Sequence, residues 1–510
     1  MTQSLRTLWR LCRILRTLAR HDALTPLQNS QLAPGLVWVA QILSRRNVAG
    51  RAGQKLARAL VELGPSFVKF GQVLSTRADL IGEEMAKDLS DLQDRLPPFD
   101  AAHAREILES ELDCSIHDLF ASFENKPVSA ASIAQVHMAI TSEGDEVAVK
   151  ILRPGIERDF ERDLAFFFSL AELAERTQPK LRRLRPTEVV QLFADTVRLE
   201  MDLRMEGAAA TELAENFADD PSYRVPAIDW TRSSKRVLTM GRLSGIPIDD
   251  RQALLEQGHD LTAVLTTAAE VFFHQVFRDG FFHGDQHPGN MSIDPEGHII
   301  AVDFGIMGRL DLRTRRYLAD MLVATLQRDY QRLAQVHVEA GFLPPGPAPA
   351  SFAQALRAVC DPIAGRPLRD ISFARLLAQL LQLTEAFNMP VQPQLLLLQK
   401  NMLMAEGISR QLSPDLNIWT LAQPLIENWI RENRGPDARL REGAEQLATS
   451  LERLPHTLAN LESVIQKAAH EGLPVDPEIL KKLRDNRAGR WQVIALWIGL
   501  ALLGLIVLTT

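Results

Sequence analysis

The chain has few cysteines and little excess charge of either sign. Its three cysteines, Cys12, Cys114 and Cys360, are odd in number and far apart. They argue against a disulfide framework or a thiolate metal site, and they indicate a reducing compartment. Basic and acidic residues are interspersed, and the formal net charge is -7. This balance argues against a nucleic-acid-binding protein, which would need a basic face.

The segment from Phe281 to Gly305 carries three polar side chains at a defined spacing. It has the sequence FFHGDQHPGNMSIDPEGHIIAVDFG, which contains Asp285, Asn290 and Asp303. In protein kinases an H-R-D-x-x-x-x-N loop supplies a catalytic Asp and a metal-binding Asn, and a later D-F-G Asp holds magnesium on the nucleotide. The spacing predicts that Asp285 orients or deprotonates the phosphate acceptor and that Asn290 and Asp303 bind magnesium.

A hairpin is predicted between these metal ligands. Met291 to Asp294 and His298 to Val302 have strand character and flank an Asp-Pro-Glu-Gly turn. A hairpin brings its two ends together, so one magnesium ion could bridge the oxygens of Asn290 and Asp303, which are the ligands it prefers. The alternative is a surface hairpin with solvated acids.

A strand that ends in a lysine lies upstream. Val147 to Lys150 has the sequence VAVK, and it follows an apolar run from Val128 to Ile140 and a Ser-Glu-Gly-Asp turn. A kinase V-A-I-K strand uses its lysine on the nucleotide phosphates. Lys150 is therefore predicted to bind them. A lone lysine would more often be exposed on an edge strand, but its position before the other motifs favours the functional interpretation.

The loop before this strand lacks the glycines of the kinase G-x-G-x-x-G motif. It has the sequence SAASIAQVH from Ser129 to His137. Alanine visits positive φ less readily than glycine, so the turn should be stiffer, although its small residues permit a close approach to phosphates. A plain turn between strands is the alternative. The predicted nucleotide-binding residues here are Ala130, Ala131, Ser132, Ile133, Ala134, Gln135, Val136 and His137.

A K-x-G-Q segment, Lys69 to Gln72, lies in a stretch where Leu63, Phe67, Phe70 and Leu74 recur at helical intervals. By composition alone this is an amphipathic helix with a solvated lysine. The combination of this segment, the alanine-rich loop and the H-G-D-x-H-P-G-N loop resembles the UbiB family of atypical kinase-like proteins, which support ubiquinone biosynthesis. The resemblance implies that Lys69 and Gln72 belong to a regulatory helical extension that folds over the active site.

The resemblance also assigns three acids. Glu200 and Asp202 match the family's E-x-D element, and Glu206 follows Asp202 at a spacing that puts both on one helix face. The ordinary kinase arrangement pairs Glu206 with Lys150, which leaves Glu200 for Lys69, and the exchanged pairing stays open. A solvated helix face is the alternative.

The predicted hinge between the lobes departs from the family pattern. After the strand Arg236 to Met240 the chain has Gly241 to Gly245, GRLSG, where the family commonly has an acidic and an aromatic residue. Adenine is recognised mainly through backbone groups at such a hinge. Met240 is therefore included in the predicted nucleotide site.

Both termini suggest a membrane location. Trp491 to Leu508 is an uncharged apolar run, near the lower limit for a spanning helix, and basic residues precede it. The alternative is a buried helix. The N-terminus is basic and amphipathic, which fits an anionic membrane surface or a mitochondrial transit peptide. We expect a bacterial inner-membrane protein with one C-terminal span and a cytoplasmic catalytic domain, and a mitochondrial location is the alternative.

The predicted fold class is α+β: a two-lobed protein-kinase-like fold with an N-terminal helical extension, a mostly helical C-lobe and a C-terminal transmembrane helix. A chain of 510 residues is long enough for these parts. The predicted boundaries are a basic N-terminal segment at 1–35, the extension at 36–125, the N-lobe at 126–240, the C-lobe at 241–470, a basic linker at 471–490 and the membrane span at 491–508.

The predicted function is that of an atypical kinase-like ATPase that binds ATP or ADP with Mg²⁺ and supports ubiquinone biosynthesis. Its expected partners are membrane lipid, isoprenoid quinone precursors and other ubiquinone biosynthesis proteins, with a homodimer possible and no nucleic acid. A protein or small-molecule kinase and a nucleotide-switched scaffold without turnover are the alternatives. The phosphate-transfer residues argue against the scaffold. The stiff loop and the Lys69 segment favour an ATPase over a kinase.

Overall fold

Helices and small, mostly antiparallel sheets make up the described part of the chain. The computed structural model describes residues 3–23, 48–75, 81–90, 92, 97–177, 186–344, 348–362 and 392–414, with isolated residues between 376 and 389 and between 424 and 431. Nearly all of them lie in one unit, Met1–Trp429. Of the second unit, Ile430–Thr510, only Arg431 is described.

Helices occur throughout the described residues, whereas the strands lie between Phe120 and Arg309. In chain order the helices are α1 (Gln3–Arg20), α2 (Ala52–Leu63), α3 (Pro65–Ser75), α4 (Glu83–Ser90), α5 (Ala101–Leu112), α6 (Ile116–Leu119), α7 (Ile156–Thr177), α8 (Pro186–Glu200), α9 (Leu203–Asn216), α10 (Arg251–Glu256), α11 (Leu261–Phe273), α12 (Leu312–Leu326), α13 (Tyr330–Glu339), α14 (Pro349–Cys360) and α15 (Pro393–Leu412). The strands are β1 (Phe120–Phe123), β2 (Ser129–Ala130), β3 (Ala134–Thr141), β4 (Glu146–Leu152), β5 (Tyr223–Arg224), β6 (Val237–Gly241), β7 (Ile246–Pro247), β8 (Phe281–His283), β9 (Met291–Ile293), β10 (Ile299–Ala301) and β11 (Met307–Arg309).

An antiparallel sheet forms the core of the first lobe. Its strands pair in the order β1, β3, β4 and β6, and β2 adds to β3. Because side chains alternate between the two faces of a strand, Val149 and Ile151 on β4 pack with α5, while Lys150 points to the other face. The first strand begins at Phe120, before the predicted lobe boundary at 126. The predicted α+β class is confirmed.

The stretch of the extension around Lys69 forms two helices where the sequence pattern suggested one. Gly64 has φ of 111° and Pro65 begins α3, so α2 ends at Leu63. A Cβ on Gly71 would lie 2.6 Å from the Cδ1 atoms of Leu60 and Leu92. The glycine of the K-x-G-Q segment therefore lets α3 pack tightly against its neighbours.

Aromatic rings attach this extension to helices α7 and α8. The Phe70 ring stacks on Phe167 with 4.7 Å between centroids, and it meets Phe193 edge-on at 5.2 Å. Phe67 makes a second edge contact with Phe167 at 5.1 Å. The helical spacing of Phe67 and Phe70 thus fixes which face of α3 is buried.

The basic N-terminal helix α1 docks on the extension. Its buried Ile14 belongs to the same core cluster as Leu60 of α2. Arg10 forms an ion pair with Asp163 of α7, and Arg20 lies 2.9 Å from Glu62. The apolar side of α1 therefore packs against protein here, and its role at a membrane stays a prediction.

The second lobe carries the predicted hairpin. Strands β9 and β10 pair antiparallel, with Ile293 opposite Ile299 and Met291 opposite Ala301. Asp294 accepts a hydrogen bond from the backbone N–H of His298 at 2.8 Å, which closes the turn. The hairpin prediction is confirmed.

Helices α12 to α15 follow, in agreement with the predicted mostly helical C-lobe. None of the helices in the described ranges has both the length and the apolar character that a bilayer crossing needs. The predicted linker at 471–490 and the predicted span at 491–508 lie outside the described residues.

The aromatic cluster gives a stability prediction. Phe193 is fully buried among Phe70, Phe160 and Phe167. We expect Phe193→Ala to lower the free energy of unfolding by about 3–5 kcal/mol, because it removes apolar contacts and leaves a cavity. Leu199→Ala, on the same helix but 59% exposed, should change it by less than about 0.5 kcal/mol. Urea denaturation of both variants measures the difference, and equal effects would contradict the packing described.

Candidate functional site

Three charged side chains meet between the lobes. The Nζ of Lys150 on β4 lies 2.6 Å and 2.9 Å from the two carboxylate oxygens of Glu206 on α9, and 3.4 Å from Oδ1 of Asp303. Glu206 is buried, whereas the side chain of Asp303 is 46% exposed. The pairing of Lys150 with Glu206 is thus the one preferred from sequence. Lys150 is held between a structural acid and an accessible one.

These neighbours shift the acidities of all three groups. Burial opposes the charge on Lys150, but Asp303 and Glu206 outweigh it and raise the pKa of Lys150. Burial raises the pKa of Glu206 to about 7, although Lys150 opposes the shift. Desolvation also acts against ionised Asp303, yet the charge of Lys150 and the hydrogen bond from the N–H of Gly305 hold the pKa of Asp303 well below its usual range. At neutral pH a charged lysine therefore lies beside an ionised carboxylate.

Small and apolar residues share the sheet face of Lys150. In the strand register Lys150 pairs with Val136, and Ala148 pairs with Met240. Cross-strand partners project to the same side of a sheet, so Val136, Ala148 and Met240 lie on the Lys150 face. The surface beside Lys150 is apolar, as a site for an adenine ring would require. The prediction that Met240 and Val136 belong to a nucleotide site is consistent with this geometry.

The alanine-rich loop is a tight turn between β2 and β3. The backbone N–H of Ala131 donates to the carbonyl of Ala134 at 2.8 Å, and Arg153 donates to the carbonyl of Ala131 at 2.8 Å. No residue of this turn has positive φ, so alanine suffices where a kinase loop has glycine. Within the described residues the buried hydroxyl of Ser132 has no hydrogen-bond partner.

Two residues of the predicted nucleotide set are wrongly assigned. Gln135 and His137 are buried on the sheet face opposite Lys150. The Oε1 of Gln135 accepts from the N–H of Phe99 at 3.0 Å, and Nδ1 of His137 donates to the carbonyl of Glu124 at 2.7 Å. Their side chains secure the first lobe and do not face the site, because strand residues alternate between faces.

The loop from Asp285 to Asn290, which corresponds in sequence to a kinase catalytic loop, is fixed by His283. Its buried ring accepts a hydrogen bond at Nδ1 from the N–H of Asp285 at 3.1 Å and donates from Nε2 to the carbonyl of Asp303. Burial lowers the pKa of His283, which favours the neutral ring that these two bonds require. His283 therefore joins the loop of Asp285 to the D-F-G segment.

The hairpin brings the predicted metal ligands to one place. The N–H of Val302 donates to the carbonyl of Asn290 at 3.2 Å, so Asp303 follows directly beside Asn290. The Nδ2 of Asn290 donates to the carbonyl of Asp285 at 3.2 Å, which leaves its Oδ1 as the atom for a metal. A carboxylate oxygen and an amide oxygen at an accessible position fit a magnesium ion.

Lys69 is held by Glu200. Their side chains are 9% and 7% exposed, and Lys69 Nζ lies 2.7 Å from the Glu200 carboxylate. This pairing connects the extension to the end of α8, as the family resemblance implied. Gln72 donates from its amide to the carbonyl of Leu92 at 3.4 Å, a contact within the extension. The predicted regulatory roles of Lys69 and Gln72 stay predictions.

Asp202 does not share a helix face with Glu206, contrary to the i, i+4 prediction. Helix α8 ends at Glu200, and Asp202 is the N-cap residue of α9 with an extended backbone. Its carboxylate accepts from the N–H of Arg204 at 3.2 Å and pairs with that guanidinium at 2.7 Å. Asp and the early helix amides attract each other at this position, so capping accounts for its contacts.

Sequence reasoning missed two site residues on α15. Lys400 Nζ lies 2.7 Å from Oδ1 of Asp285. Asn401 is fully buried, accepts from the N–H of Gln286 at 3.3 Å and donates to the carbonyl of His283. The only sequence signal was a Lys-Asn pair that interrupts an apolar helical run.

Comparison with known proteins agrees with this geometry. The ABC1 atypical kinase-like domain matches residues 91–337, and the UbiB helical domain matches residues 356–417. A Marinobacter nauticus protein named probable protein kinase UbiB is 43% identical over 465 residues, which cover 89% of this chain and 85% of that protein. A Pseudomonas paraeruginosa protein of the same name is 41% identical over 512 residues, which cover 97% and 94%.

A solved structure is also similar. It is a Mycobacterium tuberculosis protein in complex with erythromycin, 24% identical, with a TM-score of 0.45, and the match covers 68% of this chain and 91% of that chain. The Marinobacter and Pseudomonas relatives carry the assignment, because they align over most of the chain. The chain belongs to the ABC1/UbiB family of atypical kinase-like proteins.

Proposed function

We propose that this protein binds a magnesium adenine nucleotide and transfers its terminal phosphoryl group, mainly to water. One observation carries the proposal: Lys150 lies between buried Glu206 and accessible Asp303, beside the loop of Asp285. Phosphoryl transfer needs positioning and charge stabilisation more than covalent chemistry from the protein. A fixed lysine, a metal-binding pair of oxygens and an acid near the acceptor meet that need.

Each residue has a defined part in the proposed reaction. Lys150 binds the phosphate oxygens, and Asp303 and Asn290 hold magnesium, which neutralises phosphate charge when bound. Asp285 accepts the proton of the attacking water or hydroxyl. The acceptor oxygen forms the new bond to phosphorus, the bond from phosphorus to the bridging oxygen breaks, and the nucleoside diphosphate keeps that electron pair.

The extension beside the site supports water as the main acceptor. Helix α3 is fixed by the Lys69–Glu200 pair and by its aromatic contacts with α7 and α8, and Lys69 is near enough to lower the pKa of Asp303. The resemblance implies that this extension folds over the active site, in the place where a protein substrate would lie. The family resemblance adds ubiquinone biosynthesis as the process served, with isoprenoid precursors or the enzymes that modify them at a bacterial inner membrane.

ATP labelled in its terminal phosphate tests the reaction. The full chain is incubated with Mg²⁺ and vesicles of extracted membrane lipid, and the label is followed into inorganic phosphate, protein and lipid. Release to water that increases with lipid supports the proposal. Label on protein or lipid would make the chain a kinase, and absence of both, with nucleotide still bound, would make it a nucleotide-switched scaffold.

The acidity of Glu206 predicts the pH dependence of this activity. Its pKa is raised to about 7, so lowering the pH through 7 protonates Glu206 and removes its hold on Lys150. We expect kcat/KM for Mg-ATP, which reports groups of the free enzyme, to rise between pH 6 and 8 with a midpoint near 7. The residual activity of Glu206→Gln should lack this step, and an unchanged profile in that variant would assign the titration to another group.

A further inference from the structure

Helix α15 reaches the catalytic loop from a distant part of the sequence. Lys400 Nζ lies 2.7 Å from Oδ1 of Asp285, the residue assigned to the acceptor. The two residues are 115 positions apart, and Lys400 falls in the segment that matches the UbiB helical domain, residues 356–417. The second domain of the family thus contributes a charge to the site of the first.

Asn401 holds α15 in this position. Its buried amide bonds the carbonyl of His283 and the N–H of Gln286, the residues on either side of the Gly284–Asp285 pair. These two bonds fix the helix to the loop. Lys400, the preceding residue, is therefore aimed at Asp285 by the register of the helix. A surface pair between two mobile side chains would not have this second anchor.

The catalytic loop itself offers no lysine or arginine. The four residues between Asp285 and Asn290 are Gln286, His287, Pro288 and Gly289. Lys150 is already bound by Glu206 and Asp303. A terminal phosphate beside the Asp285 carboxylate would meet a like charge, and a cation between the two would relieve the repulsion.

Lys400 is accessible enough to be the cation between Asp285 and a terminal phosphate. Its side chain is 33% exposed and that of Asp285 is 29% exposed, so their contact lies at the accessible side of the loop. The buried Lys69–Glu200 pair, by contrast, is closed to a ligand. An ammonium group can donate three hydrogen bonds, so Lys400 can keep Asp285 while it binds a phosphate oxygen.

We propose that Lys400 is a second phosphate-binding cation, which holds Asp285 in the resting site and binds the terminal phosphate of the bound nucleoside triphosphate. This inference rests on the proposed function and adds the residue that distinguishes a triphosphate from a diphosphate. It makes the helical domain part of the catalytic unit. Lys400 forms no covalent bond and keeps its proton throughout.

Binding measurements test the contact without relying on turnover. The full chain with Lys400→Gln is titrated with a non-hydrolysable ATP analogue and with ADP, both with Mg²⁺. We expect the affinity for the analogue to fall at least about tenfold, the effect of one lost charge-assisted hydrogen bond, and the affinity for ADP to change by less than about twofold, since ADP lacks the terminal phosphate. ATP turnover should fall about a hundredfold.

Two further variants make the result specific. Lys400→Arg keeps the charge and should recover part of both losses, since arginine also binds carboxylate and phosphate. Lys235→Gln removes an exposed lysine that pairs with Glu157 at 2.9 Å, and it should bind and turn over nucleotide as the unmodified chain does. Lys400→Met replaces Lys400→Gln if the glutamine variant does not fold.

The outcomes separate the two proposals. Unchanged affinity for both the analogue and ADP in the Lys400 variants would reduce Lys400 to a structural ion pair, while turnover by the unmodified chain would leave the proposed function intact. Equal weakening of both nucleotides would place Lys400 away from the terminal phosphate and would also overturn the inference. If the unmodified chain binds neither nucleotide, both proposals are wrong.

Discussion

Asp303→Asn is expected to lower the ATP turnover number by about a thousandfold or more. A metal ion on the phosphates contributes several kcal/mol of charge stabilisation, and each 1.36 kcal/mol is worth about a factor of ten in rate. An amide keeps the shape of the Asp303 side chain but removes the charge that draws both magnesium and Lys150. The affinity for Mg-ADP should fall with it, because this carboxylate is the only charged ligand in the proposed metal pair.

A matched control uses the same exchange elsewhere. Asp260 caps α11 through the N–H of Thr262 at 2.8 Å, and Asn caps a helix about as well as Asp. Asp260→Asn should therefore leave turnover and magnesium dependence unchanged. Steady-state phosphate release over a range of magnesium concentrations measures both variants. Full activity in Asp303→Asn, with the protein folded by circular dichroism, would mean that this carboxylate does not hold the metal.

The local parts of this site were readable from the sequence. The hairpin depends on a turn and two short strands that are continuous in the chain, so spacing alone placed Asn290 near Asp303. Lys150 ends the predicted strand from Val147, and the alternation of side chains between the two sheet faces determines which face it occupies. The same alternation of side chains indicates that Gln135 and His137 lie on the sheet face opposite Lys150. This follows from the register of two strands with a short turn between them.

The long-range parts depend on packing that the sequence pattern does not encode. Lys400 and Asn401 meet the catalytic loop only because α15 crosses it, more than a hundred positions after Asp285 in the chain. Asp202 shows a related difficulty, since a spacing of four implies one helix face only if the helix is unbroken. Here the chain leaves α8 after Glu200 and starts α9 with Asp202 as its cap. Breaks of two residues, such as Met201 and Asp202 here, change which acids reach the site.

The second large effect is expected from breaking the Lys69–Glu200 pair. Both side chains are almost fully buried, and removal of one partner takes this 2.7 Å ion pair from a charge that stays in a poorly solvated place. We expect Lys69→Met or Glu200→Met alone to lower the free energy of unfolding by about 3–5 kcal/mol, whereas the double variant should lose much less, because two apolar side chains remove both desolvation costs. A double-mutant cycle by urea denaturation measures this coupling.

The same variants test whether the pair restricts access to the site. The double variant should stay folded but hold α3 less specifically. If α3 excludes a protein acceptor, this variant should transfer more label from ATP to protein, relative to the phosphate that it releases to water. Arg20→Met, which loses an exposed pair with Glu62 at 2.9 Å, is the control and should alter neither quantity. A stable double variant with unchanged acceptor preference would limit Lys69 to a structural role, because the charge would then stabilise the extension without influencing what reaches Asp285.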